Sequence, residues 1–139
     1  MSTPGPRPEL RVAVALVRRD GRWLVARRRA GAHLGGLWEF PGGKCETDET
    51  VESAALRELS EECAVAAEPQ RTLRPLRYEY PERIVHLHAV VCRWLSGEPR
   101  PLGCDECRWV TTAELAALDM PVANAEILSE LAAIERLGA

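Results

Sequence analysis

The sequence predicts helices sandwiching a mixed β-sheet, α/β or α+β in class, built as a single domain. Apolar runs of strand length alternate along the chain with stretches of helical periodicity. The length of 139 residues suits one ordinary domain and is short for two. A composition 46% hydrophobic and 28% charged is globular. A chain of this size buries about two thirds of its unfolded surface without a metal or disulfide staple.

Residues 1–8 hold three prolines and a glycine and read as a disordered lead-in, leaving 9–139 as the domain. From Leu10, apolar residues alternate through Val12, Val14 and Leu16. Asp20-Gly21 signals a hairpin, and Trp23-Leu24-Val25 begins a return strand ending in Arg27-Arg28-Arg29. Small residues from Gly31 to Gly36 make a loop, and Leu37 to Phe40 a short extended run stopped by Pro41-Gly42-Gly43. A helix follows over Thr50–Cys63, with Thr47 or Asp48 as N-cap. Residues 72–80 and 84–95 read as two strands joined at Pro81-Glu82, and Arg108–Val110 as a last short one. Thr111 with Glu114 forms a capping box. Asn124–Leu137 closes the chain as an amphipathic helix carrying Ile127, Leu128, Leu131, Ile134 and Leu137.

Eighteen basic residues against 21 acidic give a net charge of −3, which argues against direct nucleic-acid binding. No apolar run approaches the roughly 18 residues of a membrane span, and Met1 to Pro8 lacks a signal-peptide core. Five cysteines, an odd count without an export signal, imply reduced thiols and a cytoplasmic location.

Chemistry concentrates between Gly43 and Val65. Glu58, Glu61 and Glu62 stand at i, i+3 and i+4 and share one helix face, while Leu56, Leu59 and Cys63 lie well round the cylinder. Three carboxylates within one turn repel unless a cation sits among them, and a hard divalent ion such as Mg²⁺ is the natural neutraliser. On its own the triad also fits a solvated acidic face.

The surrounding spacing decides between these. Gly43, five residues, Glu49, seven residues, then Arg57-Glu58-Leu59-Ser60-Glu61-Glu62-Cys63-Ala64-Val65 resembles the Nudix box, G-x5-E-x7-R-E-U-x-E-E-x-G-U with U aliphatic. The departure is Ala64, where the family has a glycine suited to a left-handed helix cap. Alanine there costs about 1 kcal/mol or shifts the helix end, and it removes no ligand atom. The resemblance implies the Nudix α/β/α sandwich. It also implies a Mg²⁺ cofactor (Mn²⁺ as substitute) held by Glu58, Glu61, Glu62 and the carbonyl of Gly42, with Glu49 paired to Arg57. Glu58 is the first choice of general base.

Outside the box, from about Val12 to Leu131, the chain resembles MutT-type 8-oxo-dGTP pyrophosphohydrolases. The similar segments are Ala26-Arg27-Arg28, Ala32-His33, Glu39 to Lys44, Tyr78 to Arg83, and Pro121 to Asn124. This implies a monomer acting on a small nucleotide. Arg28 would meet the α-phosphate, His33 and Phe40 the nucleoside, and Arg83 and Asn124 the base, with Lys44 and Glu82 also in the substrate site. Asn124 has a physical rationale. In 8-oxoguanine N7 carries a hydrogen, so one amide can donate to O6 and accept from N7–H, whereas guanine sets two lone pairs face to face. Asn is also a favoured N-cap for the last helix, and one residue can serve both purposes.

Two rival readings remain. The segments Gly36 to Phe40 and Arg83 to Ala89 also resemble CTP pyrophosphohydrolases of the same family, which act on CTP or 5-methyl-dCTP. A non-catalytic nucleotide- or lesion-reading module is the other, but it has no need of the full acidic set. The relatives carry a further metal-binding glutamate six residues before a late tryptophan; Gly103 stands there, with Asp105 and Glu106 as substitutes. Cys104-x-x-Cys107 lacks a second Cys/His pair at ligand spacing and reads first as plain thiols, with a zinc site or a redox couple as the lesser readings. His86 and His88 share a strand face, as packing residues or in the base pocket.

Overall fold

The structure is a computed structural model that describes residues 6–136, with side chains as far as residue 133. The expectations for residues 1–5 of the lead-in, for the side chain of Ile134 and for Leu137 lie outside the described residues. Arg7, inside the described part, donates to the Tyr80 carbonyl at 3.0 Å and pairs with Glu79 at 2.7 Å.

The elements run β1 (Glu9–Arg19), β2 (Arg22–Arg27), β3 (Trp38–Glu39), β4 (Gly42–Lys44), α1 (Val51–Cys63), β5 (Ala66–Thr72), β6 (Leu76–Tyr80), β7 (Arg83–Ser96), β8 (Glu106–Val110), α2 (Thr112–Ala116) and α3 (Val122–Arg136). Strands β1 and β7 run parallel from Glu9↔Ile84 to Arg18↔Arg93, and the other pairings are antiparallel, so the sheet is mixed. Asp20 and Gly21 take φ of 51° and 75°, the conformation that a two-residue hairpin turn demands.

Residues 13–17 of β1 are buried on both faces of the sheet. Ala13, Ala15 and Val17 pack under α1 with Ala54, Ala55, Leu59 and Cys63. Val14 and Leu16 point the other way, toward Trp23, Phe40, Leu115, Ile127 and Leu131. The period-2 alternation of one strand thus feeds two cores, giving the helix–sheet–helix sandwich that the resemblance implied. No helix among the described residues is long and apolar enough to cross a membrane.

Three boundaries differ from expectation. The single strand expected at 72–80 is two, β5 and β6, both paired to β7 and separated by Leu73-Arg74-Pro75. Strand β5 contains Pro69 and shifts register between Pro69 and Arg71. Such a residue is tolerated on an edge strand and obscures the strand in the sequence. Gly42-Gly43 does not merely stop β3 but pairs as β4 with Val14 and Ala13, because a side chain at Gly42 would collide with the Ala13 carbonyl. Finally, α3 starts at Val122, with Asn124 and Ala125 amides donating to the Pro121 carbonyl at 3.0 and 3.1 Å.

Candidate active site

Helix α1 is capped by Thr50, whose hydroxyl accepts from Ser53 N at 3.1 Å, rather than by Thr47 or Asp48. Thr50 is the last residue in extended conformation, and that defines the cap. At the other end Ala64 takes φ 58°, ψ 33°, and its amide donates to the Ser60 carbonyl at 3.0 Å. The helix end has not moved, so alanine carries the left-handed strain. The orphan carbonyls there are met from outside: Leu102 and Gly103 amides donate to Glu62 O at 3.0 and 3.1 Å, and Arg100 N to Cys63 O at 2.8 Å.

The cation among the glutamates is Arg57. Its Nε and Nη2 grip both oxygens of Glu49 at 2.7 and 2.9 Å. Its Nη1 reaches Glu58 at 3.0 Å and Glu61 at 3.2 Å. Nη2 also donates to the Lys44 carbonyl at 3.1 Å, tying the loop to the helix. This fork holds the Glu49 carboxyl down at about 2, helped by the Glu46 amide.

Glu62 is compensated far less. The Gly42 amide donates to its Oε2 at 2.8 Å, yet burial pushes its carboxyl up to about 8, with Glu39 and Glu58 adding to the effect. Glycines make this crowding possible. A Cβ on Gly43 would lie 2.6 Å from the Glu58 carboxylate, and one on Gly103 would lie 3.1 Å from Glu62 Cγ. Hard oxygen donors, a buried carboxyl short of positive charge and an arginine nitrogen lodged between two others form a donor set that suits a divalent cation.

Glu62 opens into a cleft of about 380 Å³ lined also by Arg28, Arg29, Glu39, Phe40, Gly42, Gly43, Tyr78, Arg83 and Asn124, within the range of small-molecule sites. Arg28 pairs with Glu39 at 2.9 Å and donates to the His33 carbonyl at 2.8 Å. Strand β2 ends at Arg27, so strict alternation no longer applies, and Arg28 and Arg29 both border the cleft. Asn124 is buried at 8% exposure inside the first turn of α3 and does not cap it. Its Oδ1 accepts from the Phe40 amide at 3.1 Å, which fixes the orientation of the amide and ties α3 to the end of β3.

Of the expected substrate residues, Arg28, Phe40, Arg83 and Asn124 come together here, while His33, Lys44 and Glu82 are exposed outside the lining. Glu58 adjoins the cleft across Gly43, and Glu61 is turned outward, with its side chain 59% exposed. Sequence reasoning gave no role to Glu39 or Tyr78, although both lie in segments that carried the resemblance. A carboxylate in a short strand beside Phe40-Pro41-Gly42 was the available signal for Glu39; burial raises its carboxyl, against the pull of Arg28. The Tyr78 hydroxyl is buried without a well-formed hydrogen bond.

Neither substitute for Gly103 borders the cleft. Asp105 accepts from the Ala30 amide at 3.0 Å, and Glu106 pairs with Arg108 at 2.9 Å. Val85 and Leu87 line the cleft. His86 and His88 alternate with them to the opposite face, His86 against Glu9 at 2.7 Å. Trp38 is buried in the second core.

A family model described as "NUDIX domain" matches residues 12–130. The 8-oxo-dGTP diphosphatase of Escherichia coli K12 is 36% identical over 125 residues, spanning 88% of this chain and 96% of that protein. The CTP pyrophosphohydrolase of the same organism is also 36% identical, over 85% of this chain and 86% of its own length. Among solved structures, the E. coli ORF135 protein superposes with a TM-score of 0.84 at 30% identity, covering 96% of each chain.

Proposed function

Because the chain belongs to the Nudix hydrolase family, we propose that it hydrolyses 8-oxo-dGTP to 8-oxo-dGMP and pyrophosphate with Mg²⁺, as a cytoplasmic monomer that cleans the nucleotide pool. The observation that carries this reading is Asn124. Its Oδ1 spends one lone pair on the Phe40 amide and keeps a second, while the two amide hydrogens remain for an acceptor. That presents an acceptor beside a donor, the complement of N7–H and O6 on 8-oxoguanine. Against guanine the same oxygen meets a lone pair, and an unpaired buried polar contact costs about 1–3 kcal/mol.

The rest of the cleft divides the remaining work. Arg28 and Arg29 border the cleft and would meet the polyphosphate, and Glu39 pairs with the Arg28 guanidinium. Glu58, Glu61 and Glu62, with Gly42, would hold Mg²⁺. Bound there, the ion would screen the phosphate charge and acidify the attacking water. The Glu49–Arg57 fork sets the position of the helix carboxylates relative to β4. Glu58 takes the water proton as the water oxygen bonds to the β-phosphorus, and the bond to the bridging oxygen on the nucleotide side breaks. Water and triphosphate thereby become monophosphate and pyrophosphate.

A second reading has a specific observation behind it. The CTP pyrophosphohydrolase matches at the same 36% identity, over somewhat less of each chain, and cytosine sets its N4 donor beside its N3 acceptor, which one amide can also satisfy. Pyrophosphate release from 8-oxo-dGTP, dGTP, CTP and 5-methyl-dCTP at low micromolar concentration separates the two. A preference of about 100-fold or more for 8-oxo-dGTP over dGTP, on the order of 3 kcal/mol, is expected. Preference for the cytidine nucleotides would move the function to pyrimidine turnover, and release of phosphate instead would overturn the site of attack. No turnover of any of the four would point to a non-nucleotide diphosphate, and tight nucleotide binding without turnover to the non-catalytic module.

A further inference from the structure

Cys63 closes α1, and Cys104 in the loop entering β8 and Cys107 within β8 lie against it. The Cys107 sulfur lies 3.5 Å from that of Cys63 and 3.6 Å from that of Cys104. All three sulfurs fall within 4.8 Å of one another. The sequence shows only the Cys-x-x-Cys pair; the third sulfur arrives from 41 positions earlier and completes a triangle. Thiolates bound to one zinc ion at about 2.3 Å stand roughly 3.8 Å apart, close to the spacing found. A disulfide closes to about 2.05 Å and uses only two of the three.

The backbone that carries the triangle is pinned on each side. Hydrogen bonds from Leu102 and Gly103 to the Glu62 carbonyl and from Arg100 to the Cys63 carbonyl anchor the loop to α1. Cys107 is paired with Ala26 in the β2–β8 ladder. Cys63 and Cys104 are buried, and Cys107 is partly exposed, which gives an ion a way in. Three sulfurs are soft donors, unlike the hard carboxylate oxygens of α1, and so select a different class of cation.

We propose that Cys63, Cys104 and Cys107 form a second metal site, for a thiophilic closed-shell cation, Zn²⁺ or Cu⁺. Binding exchanges S–H bonds for S–metal bonds and releases up to three protons to solvent, with no change of oxidation state. Among the described residues no further His, Cys, Asp or Glu joins the cluster. Zn²⁺ therefore takes a solvent ligand as its fourth, whereas Cu⁺ is satisfied by three. The ion fastens β8 and its loop to the end of α1, one residue beyond Glu62. This site does not depend on which nucleotide the cleft accepts.

The full chain, reduced and stripped with chelator, is titrated with Co²⁺ as a zinc probe in excess Mg²⁺, so that the carboxylates are occupied. One equivalent is expected to produce a near-ultraviolet thiolate-to-cobalt charge-transfer band of three-sulfur intensity. Zn²⁺ then displaces Co²⁺ and raises the melting midpoint by roughly 5–10 °C. Cys104→Ser and Cys107→Ser each weaken binding by about 100-fold or more, while Cys45→Ser, outside the triangle, binds like the parent. Parallel titration with Cu⁺ against a competing chelator decides the ion: tighter retention of Cu⁺ in a three-coordinate complex assigns copper, and its loss to the chelator assigns zinc. Absence of the charge-transfer band in the parent chain overturns the proposal, as does a band that survives both serine variants.

Discussion

Along the α1 wall of the cleft, charge is dense and mostly answered in place: Arg57 serves Glu49, Glu58 and Glu61, and Gly42 serves Glu62. The same cleft is lined by Phe40, Val85, Leu87 and Tyr78 together with Asn124, the buried polar residue among those described. On the proposed reading the first wall serves the cation and the reacting phosphates, whatever nucleoside is attached. On the same reading the second wall serves the base edge. Catalysis and choice of substrate are therefore separable by mutation, and the substitutions below test that separation.

The largest effect is expected on the charged wall. Glu62→Gln keeps the shape and the Gly42 contact but removes a ligand charge. Turnover should fall on the order of 10²–10⁴-fold while the melting midpoint holds or rises, because a neutral amide is easier to bury there than a carboxylate. Steady-state pyrophosphate release and thermal melting check both halves. Gly43→Ala strikes the same wall from outside the helix. Its methyl would sit 2.6 Å from the Glu58 carboxylate and displace it, with an expected loss on the order of 10–100-fold in kcat. Unchanged kcat in that variant would mean that the position of Glu58 is not critical.

Acid should loosen the same wall. The Glu49 carboxyl is held at about 2 against an ordinary value of 4.5. The folded state thus binds this proton less readily than the unfolded state. The stabilisation is complete above about 4.5 and is lost as pH falls through about 2. Urea midpoints across that window should decline, and Glu49→Gln should flatten the decline while lowering stability at neutral pH. The smallest effect belongs to Ala64→Gly, which relieves a φ of 58°. It should gain about 0.5–1 kcal/mol, or a few degrees of melting midpoint, partly offset by glycine's freedom in the unfolded chain.

The walls also differ in how far the sequence discloses them. The acidic wall is nearly contiguous in the chain, since one helix turn places Glu58, Glu61 and Glu62, and a fixed loop length delivers Glu49 to Arg57. Helix periodicity puts the three glutamates on one face, whereas the pairing of Glu49 with Arg57 was legible only through the resemblance. The alternation read in β1 covered Val12, Val14 and Leu16 but not the core that Ala13, Ala15 and Val17 form under α1. The base-side wall assembles β3, β6, β7 and α3, and no local period relates Phe40 to Asn124. Only the resemblance nominated that pair, and their hydrogen bond replaced the helix cap expected of Asn124. The triangle of Cys63, Cys104 and Cys107 was hidden for the same reason, because its third member sits on a different element. β5 escaped notice because Pro69 lies within an edge strand.

The most direct test of two separable walls is kcat/KM for 8-oxo-dGTP and dGTP in the parent, Glu62→Gln and Asn124→Ala proteins. Glu62→Gln should lower both values together and leave their ratio within about threefold. Asn124→Ala should collapse the ratio by about 10–100-fold while dGTP turnover changes little. A ratio that survives Asn124→Ala, or one that collapses with Glu62→Gln, would contradict the division of labour between the two walls.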